Sequence, residues 1–169
     1  MKFMISFIMF LVFFGCKERS SCEKIIVKKT LLDSAKEKSD TNYTKRYRSQ
    51  EFATAEYFIN HKDTTVCQVM KDSAGQVRQV IMVKKNTRFF TAEYYPNGQL
   101  KAELPLDKEG KYDGTGIFYY ENGCVKSSGA FHHGLYAGEW KNYTDKQKLS
   151  STDQYDPNGQ LLKSLPAGN

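Results

Sequence analysis

Apolar and polar residues alternate in short runs along most of the chain, and turn residues separate the runs. Two of these runs are Phe89–Tyr95 and Leu100–Leu106. An alternation with a period of two, in segments rich in aromatic and β-branched residues, predicts strands with one wetter face. Asn97-Gly98 lies between the two runs, and Asn-Gly pairs suit the positive φ angles of a tight hairpin turn. The pattern therefore predicts an all-β fold, an extended antiparallel meander of short hairpins.

The turn residues recur with a nearly fixed period. A glycine, a spacer, an aliphatic residue and usually a cation occur together at Gly75–Arg78, Gly98–Lys101, Gly123–Lys126 and Gly159–Leu162. The first three glycines are 23 and 25 residues apart, and a second motif that begins at Gly110 recurs 24 residues later. Such a period is typical of repeat proteins, here with two strands and two turns per repeat. Eight glycines are predicted to lie in turns: Gly75, Gly98, Gly110, Gly114, Gly123, Gly134, Gly138 and Gly159.

Two imperfect copies extend the repeat. Thr54–Tyr57 has the same four residues as Thr91–Tyr94, so we expect the repeat domain to occupy residues 51–169. Asp145–Leu149 is a second imperfect copy, in which Gln147 takes the place of the glycine. Because glutamine disfavours a positive φ, this copy predicts a looser or longer turn, with its strands retained.

The amino terminus is typical of an exported protein. Met1-Lys2 precedes an apolar stretch, Phe3–Phe14, that is too short to span a bilayer as a mature helix. A small residue directly before Cys16 resembles the lipobox of bacterial lipoproteins. That resemblance implies that residues 1–15 are a signal peptide, that Cys16 is lipidated, and that the protein is anchored to an envelope membrane, facing the periplasm or the exterior. A signal peptide cut elsewhere, or an ordinary membrane anchor, is the alternative.

The net charge of +6 is concentrated near this terminus. Residues 17–48 contain ten basic and five acidic side chains, whereas the chain from Ser49 onward contains 14 of each. A cationic segment beside a lipid anchor is attracted to anionic head groups by about 1 kcal/mol per well-placed cation. We therefore predict a flexible, lipidated basic stalk at residues 16–50 that contacts the membrane, and no binding of nucleic acid. A solvated linker kept soluble by its charge is an equal alternative.

Cysteine and histidine do not form a recognisable metal motif. Besides Cys16, the chain has Cys22, Cys67 and Cys124, and an odd number allows at most one disulfide among them. Because two repeats separate Cys67 from Cys124, we expect both to be buried free thiols. The adjacent pair His132-His133 would point to opposite faces of a strand. No metal site and no cofactor are therefore predicted.

Aromatic residues are the remaining candidates for recognition. The chain contains no recognisable nucleophile motif or glycine-rich phosphate loop, so a non-enzymatic protein is predicted. Repeated aromatic residues most often pack against one another. Five of them are nevertheless predicted as partner-binding residues: Tyr95, Tyr119, Tyr136, Trp140 and Tyr143. The alternative function is an envelope carbohydrate binder or hydrolase that combines an exposed aromatic stripe with paired carboxylates.

Three segments give the chain a family resemblance. Tyr94–Lys101, Tyr119–Lys126 and Gly134–Trp140 together resemble the bacterial variant of the MORN repeat, the module of the YwqK-type antitoxin component family. The resemblance extends over residues 67–164. The resemblance implies a single-layer array of β-hairpins that binds a protein. The bound protein in such a family would be a toxin that the array neutralises. The predicted function is therefore a lipid-anchored protein-interaction scaffold in the envelope, with an antitoxin-like or immunity-like role.

Overall fold

The computed structural model describes residues 31–47 and 51–168, and these residues form one open antiparallel sheet with one short helix. The strands are hydrogen-bonded in chain order, from β1 at one edge to β11 at the other, so the predicted all-β meander is confirmed. The elements are α1 Leu31–Lys38, β1 Thr41–Arg46, β2 Thr54–Asn60, β3 Thr65–Lys71, β4 Val77–Lys84, β5 Thr87–Tyr94, β6 Leu100–Pro105, β7 Gly114–Tyr119, β8 Val125–His132, β9 Leu135–Tyr143, β10 Leu149–Tyr155 and β11 Leu161–Pro166. The predicted signal peptide, the lipidation site Cys16 and Cys22 lie outside the described residues.

The sheet begins before the predicted domain boundary at residue 51. β1 lies in the segment predicted as a flexible stalk, and it pairs with β2 over its whole length. The Tyr43 ring stacks on Tyr57 with 4.6 Å between ring centroids. All six β1 residues are exposed, so β1 has no apolar alternation from which a strand could be predicted. Within the described residues, no helix is long and apolar enough to cross a bilayer.

The apolar core changes face along the sheet. One buried cluster, with α1 packed against it, includes Ala92, and the other includes Ala102 and Leu104. Ala92 pairs directly with Glu103, so these two side chains share a face, whereas Ala102 and Leu104 flank Glu103 in β6 and point the other way. α1 therefore covers one face of the amino-terminal strands, and aromatic residues cover the opposite face of the carboxyl-terminal strands.

Two paired glycines make room for the aromatic rings of the second cluster. Gly116 of β7 lies opposite Gly129 of β8. A Cβ atom on Gly129 would be 2.5 Å from Cγ of Trp140, and one on Gly116 would be 2.6 Å from Cε2 of Phe131. The rings of Trp140 and Phe131 thus lie directly over backbone, 5.0 Å apart and nearly perpendicular. Glycine at both positions is required by this packing.

The cysteine predictions have different outcomes. Cys67 is a buried free thiol, as expected. Cys124 is also buried, but it is disulfide-bonded, so the prediction of a free thiol at this position is wrong. The linear meander does keep Cys67 away from Cys124, as predicted from their separation, and the partner of Cys124 lies outside the described residues.

Candidate interaction surface

Strand direction alternates along the meander, so successive turns lie on two opposite rims of the sheet. The first rim carries the turns between β3 and β4, β5 and β6, β7 and β8, and β9 and β10. The second rim carries the turns between β2 and β3, β4 and β5, β6 and β7, β8 and β9, and β10 and β11. One repeat of two strands therefore contributes one turn to each rim.

The turn at Gly98 shows how the repeat motif is built. The Gly98 N–H donates to the Tyr95 carbonyl over 2.9 Å, and the Tyr95 N–H donates to the Gln99 carbonyl over 2.8 Å. This is a tight turn that ends in a glycine with a φ of 81°. Asn97 does not have a positive φ, so the glycine alone supplies the left-handed conformation in this Asn-Gly pair. The same pair of backbone bonds closes the turns at Gly75, Gly110, Gly123, Gln147 and Gly159.

All eight glycines predicted to lie in turns have a positive φ. Gly114 and Gly138 lie in strands rather than in turns. Gly138 occupies a β-bulge, because Gly129 pairs with Trp140 while Ala130 pairs with Ala137, which leaves two β9 residues between these pairs. A bulge uses the same left-handed backbone conformation as a turn, so sequence alone does not distinguish the two positions.

Gln147 takes the left-handed conformation without a glycine. Its φ is 61°, and its N–H donates to the Thr144 carbonyl over 3.0 Å, as in the glycine turns. The prediction of a looser or longer turn is therefore wrong, whereas the predicted strands on both sides are present. The Gln147 side chain donates from Nε2 to the Val125 carbonyl over 3.1 Å, which ties the turn to the preceding repeat.

Two asparagines, Asn97 and Asn122, link neighbouring turns of the first rim through their side chains. Asn97 accepts the Gln99 N–H at Oδ1 over 2.9 Å and donates from Nδ2 to the Glu121 carbonyl, one repeat further on, over 3.2 Å. Asn122 repeats the second bond, to the Asp145 carbonyl, over 3.1 Å. The asparagine therefore fixes its own turn and holds the next one.

Tyrosine hydroxyls form a second set of links on this rim. Tyr95 donates to the Tyr119 carbonyl over 2.8 Å, and Tyr120 donates to the Tyr143 carbonyl over 2.9 Å. Donor and acceptor are 24 and 23 residues apart, which is one repeat. The Tyr-x-Asn-Gly sequence thus specifies contacts between consecutive repeats at the two turns that contain it.

The cation that ends the repeat motif occupies a β-bulge. Tyr94 pairs with Leu100 and Glu93 pairs with Ala102, so Lys101 is the extra residue between them. Its Nζ atom lies 2.9 Å from Oε2 of Glu93. The same register shift places Arg78 and Lys126 in the bulges of the corresponding hairpins. Bulges increase the local twist of a strand, so the motif also repeats the twist of the sheet.

The five aromatic residues predicted to bind a partner differ in exposure. Trp140 is buried and donates from Nε1 to the Ala130 carbonyl over 2.9 Å, and Tyr119 is buried and donates to Glu103 over 2.6 Å. Burial, and then the bond to Glu103, raise the pKa of Tyr119 above its usual value. Tyr95 and Tyr143 are half-buried on the first rim. Tyr136 is exposed and lies in a ring cluster with Trp140. Partner binding by these five residues stays a prediction.

Large apolar side chains are exposed mainly at the carboxyl-terminal end of the sheet. Among the described residues, eight large hydrophobic side chains are exposed, and six of them lie on β9, β10 and β11. We call these six the C-terminal apolar end: Leu135, Tyr136, Leu149, Leu161, Leu162 and Leu165. Sequence reasoning missed this surface because Leu161, Leu162 and Leu165 read as part of an ordinary repeat.

A small cleft of about 160 Å³ lies between α1 and the sheet. Phe58 and Met82 contribute apolar walls, and Lys38 and Asp63 contribute charge. The lining includes one carboxylate and one aromatic side chain, so this cleft does not have the paired carboxylates and aromatic stripe expected of the carbohydrate alternative.

Comparison with known proteins identifies the repeat. The MORN repeat variant matches residues 92–108, which contain the Gly98 turn and β6. This match and the single-layer sheet indicate a β-repeat domain of the protein-interaction type. No curated protein sequence matches the chain.

Three solved structures are similar to this chain at low sequence identity. The structure of accessory secretory proteins 1, 2 and 3 of Streptococcus pneumoniae is 17% identical over 56% of this chain and 18% of that chain, with a TM-score of 0.38. S. aureus TarM, in a mutant complex with fondaparinux, alpha-GlcNAc-glycerol and UDP, is 15% identical over 72% of this chain and 23% of that chain, with a TM-score of 0.46. A second TarM structure is 16% identical over 72% of this chain and 23% of that chain, with a TM-score of 0.45. The chain thus spans less than a quarter of the length of these proteins.

Proposed function

We propose that this chain is a non-enzymatic, lipid-anchored envelope protein that binds a protein partner at its C-terminal apolar end, in an antitoxin-like or immunity-like role. The observation that carries the proposal is the concentration of exposed apolar side chains on the last three strands. Leu162 is 64% exposed, Leu161 53% and Leu165 52%. Large apolar side chains exposed singly need no explanation, whereas six of them on three consecutive strands at one end of the sheet support a role in binding.

The edge strand β11 provides backbone groups for the same partner. Among the described strands, β11 pairs only with β10, so its outer edge is open, and all six of its residues are exposed. An open edge can accept a strand from another protein through backbone hydrogen bonds, with side-chain contacts adding specificity. Lys163 and Pro166 lie on this edge, and such residues oppose indiscriminate pairing. The combination suits one selective partner.

The proposed location rests on the amino terminus and on the cysteines. The apolar segment before Cys16 supports lipid anchoring, and the basic segment that follows it supports contact with anionic head groups. The disulfide of Cys124 supports an oxidising compartment outside the cytoplasm, because disulfides persist there and are rare in reducing compartments. The membrane and the protein partner are thus the two interactions proposed for the chain.

Site-specific photocrosslinking in intact cells tests the partner proposal. A photoreactive amino acid is placed at Leu162, and the matched control is Tyr43, which is 50% exposed on the opposite edge strand β1. We expect one protein adduct from position 162 and none from position 43, with its identity read by mass spectrometry. L162E should then lower recovery of that protein, whereas Y43E should not. Absence of an adduct at 162, or equal adducts at both positions, would refute the proposed surface.

A separate variant tests the anchor. Cys16→Ser should release the protein from the membrane fraction or leave it unprocessed, because the thiol that accepts the lipid is gone. Metabolic labelling with a fatty acid and fractionation of membranes measure this. Unchanged labelling and unchanged fractionation of C16S would refute lipid anchoring without affecting the binding proposal.

A further inference from the structure

The second rim holds the three histidines of the chain, and each lies against an aspartate. Nδ1 of His61 is 2.6 Å from Oδ1 of Asp40, and Nδ1 of His132 is 3.1 Å from Oδ1 of Asp113. Nδ1 of His133 is 2.7 Å from Oδ2 of Asp107. Among residues 31–47 and 51–168, only the last of these pairs has a further carboxylate in reach, since Oε2 of Glu109 is 3.9 Å from the same His133 nitrogen. The turns of the second rim thus bring one histidine and two acids together.

Backbone bonds fix these two turns against each other. The Gly134 N–H donates to the Tyr112 carbonyl over 2.7 Å, and the His133 N–H donates to Oδ1 of Asp113 over 3.3 Å. His133 has a φ of 50° in the two-residue turn between β8 and β9. This conformation is uncommon for a residue with a side chain. The turn therefore directs the His133 imidazole towards the neighbouring β6–β7 turn, where Asp107 and Glu109 lie.

The Asp107 carboxylate presents one oxygen to this histidine. Its Oδ1 accepts the N–H groups of Glu109 over 2.9 Å and Lys111 over 3.0 Å, which holds the carboxylate in place. Its Oδ2 is buried and receives no hydrogen bond of acceptable geometry, although Nδ1 of His133 is 2.7 Å away. An imidazole nitrogen at this distance without the angle of a hydrogen bond leaves the buried oxygen incompletely satisfied, and a cation bound by both atoms would satisfy it.

We propose that Asp107, Glu109 and His133 form a binding site for a divalent transition metal ion such as Zn²⁺ or Mn²⁺. One ligand atom from each residue lies within 4.8 Å of the other two, and this is the only such group of three among the described residues. Bonds of about 2.0–2.2 Å to nitrogen and oxygen ligands require ligand atoms no more than about 4.4 Å apart. Small side-chain rotations satisfy that limit. Imidazole with carboxylate is a ligand set that such ions accept, and water would complete the coordination.

Two neighbouring side chains affect metal binding, one as a competing cation and one by positioning the histidine. Lys111 lies with Nζ 3.5 Å from Oε2 of Glu109, so it neutralises that acid in the absence of metal and must move away on binding. Asp113 holds the His133 backbone and the His132 ring, so it is a positioning residue. To bind Glu109, a metal ion must displace only the exposed Lys111 contact, and exposed ion pairs of this kind are weak.

Titration calorimetry of the full chain with ZnCl₂ and with MnCl₂ tests the site. D107N keeps Oδ1 as an acceptor and removes the charge of Oδ2, and H133N retains a residue that tolerates a positive φ. H61N is the matched control, because His61 has an aspartate partner but no third ligand in the described chain. We expect one bound ion, and an affinity at least about tenfold weaker in D107N and H133N, a loss that even an outer-shell partner can cause. H61N should bind as the unmodified chain does.

Glu109→Gln keeps the proposal testable if D107N or H133N does not fold, because Glu109 is exposed and its side chain does not anchor a turn. E109Q should also weaken binding by at least about tenfold, and the rise in melting temperature that the metal causes should shrink with it. Dissociation constants above about 1 mM for both metals would overturn the proposal. Equal affinity in the unmodified chain and the site variants would also overturn it.

Discussion

Replacing Gly129 with alanine tests the packing of the C-terminal strands. Gly129 has no positive φ, so alanine can adopt its backbone conformation, and removal of glycine from a strand would by itself stabilise the protein by about 0.4–1 kcal/mol. The new Cβ would, however, lie 2.5 Å from Cγ of Trp140, about 1 Å closer than ordinary contact. Overpacking of this kind costs about 1–3 kcal/mol. Because Trp140 also donates to the Ala130 carbonyl, a displaced ring would weaken that bond as well. We expect a net loss of about 1–3 kcal/mol.

A double-mutant cycle isolates the steric cause. Trp140→Ala should destabilise the protein by itself, because it removes a buried ring, but it also removes Cγ and the ring atoms that a Cβ at position 129 would meet. In the W140A background, G129A should therefore be neutral or stabilising. The coupling energy between the two substitutions should reach about 1 kcal/mol or more, as found for residues in direct contact. Gly168→Ala is the control, because no atom lies within 4 Å of its added Cβ.

Urea unfolding followed by circular dichroism measures all four variants, since Trp140 is the one tryptophan of the chain and its fluorescence is lost in two of them. Comparable m-values would show that the substitutions change stability and not the extent of unfolding. A G129A protein as stable as the unmodified chain, or a cycle in which the two effects add, would refute the packing argument.

Three further perturbations follow from the contacts. Tyr95→Phe and Tyr120→Phe should each lower the free energy of unfolding by about 0.5–1.5 kcal/mol through loss of the links to Tyr119 and Tyr143, measured by urea unfolding. Tyr143→Phe is their control, because its hydroxyl has no hydrogen-bond partner among the described residues, and an equal loss in that variant would contradict the assignment. Burial raises the pKa of Cys67 to about 11, so a thiol reagent at neutral pH should label Cys67 only after unfolding, and fast labelling of the native protein would show that this strand is open. A hydrogen bond from His61 and one from Thr65 hold the pKa values of Asp40 and Asp63 below the ordinary 3.8. The folded state therefore binds fewer protons than the unfolded state as the pH falls through this range, and the stability that these groups contribute above about pH 4 should be lost below it. D40N and D63N should flatten that acid dependence of the urea midpoint, and an unchanged dependence in both would contradict the assignment.

The sequence predicted the meander because its turns have a local cause. A glycine such as Gly98 or Gly123 marks the left-handed end of a turn, and the runs between glycines can only be strands. The functions of the asparagine and of the cation could not be predicted in this way. Asn97 acts through a side-chain bond to a turn 24 residues away, and Lys101 occupies a bulge that only the strand register reveals. Both depend on which repeats become neighbours.

Other features depend on contacts that leave no periodic pattern in the sequence. β1 is exposed along its length, so it has no apolar alternation, and its place in the sheet comes from pairing with β2 and from Tyr43 on Tyr57. The disulfide of Cys124 depends on a segment that the repeat pattern does not include. The acids Asp107 and Glu109 are 24 or more residues from His133. Sequence reasoning considered only the adjacent His132 as a second ligand, so these acids were missed. Each of these contacts forms only once the sheet is assembled.

The two rims explain where function is to be sought in this repeat. Each repeat contributes one turn to the first rim, and in two of these turns the Tyr and Asn side chains of Tyr-x-Asn-Gly bond to the next repeat, so the scaffold accounts for them. The second rim has no such requirement, and its turns differ in length and in residue type, from the two-residue turn at His133 to the longer turn at Asp107. β11 departs from the repeat in another way, because an aliphatic residue, Leu162, occupies the bulge position that a cation holds in three earlier hairpins. The bulge itself does not explain the leucine, because a lysine at this position would give the strand the same twist. Contact with an apolar partner would account for it, and that is the surface at which binding is proposed.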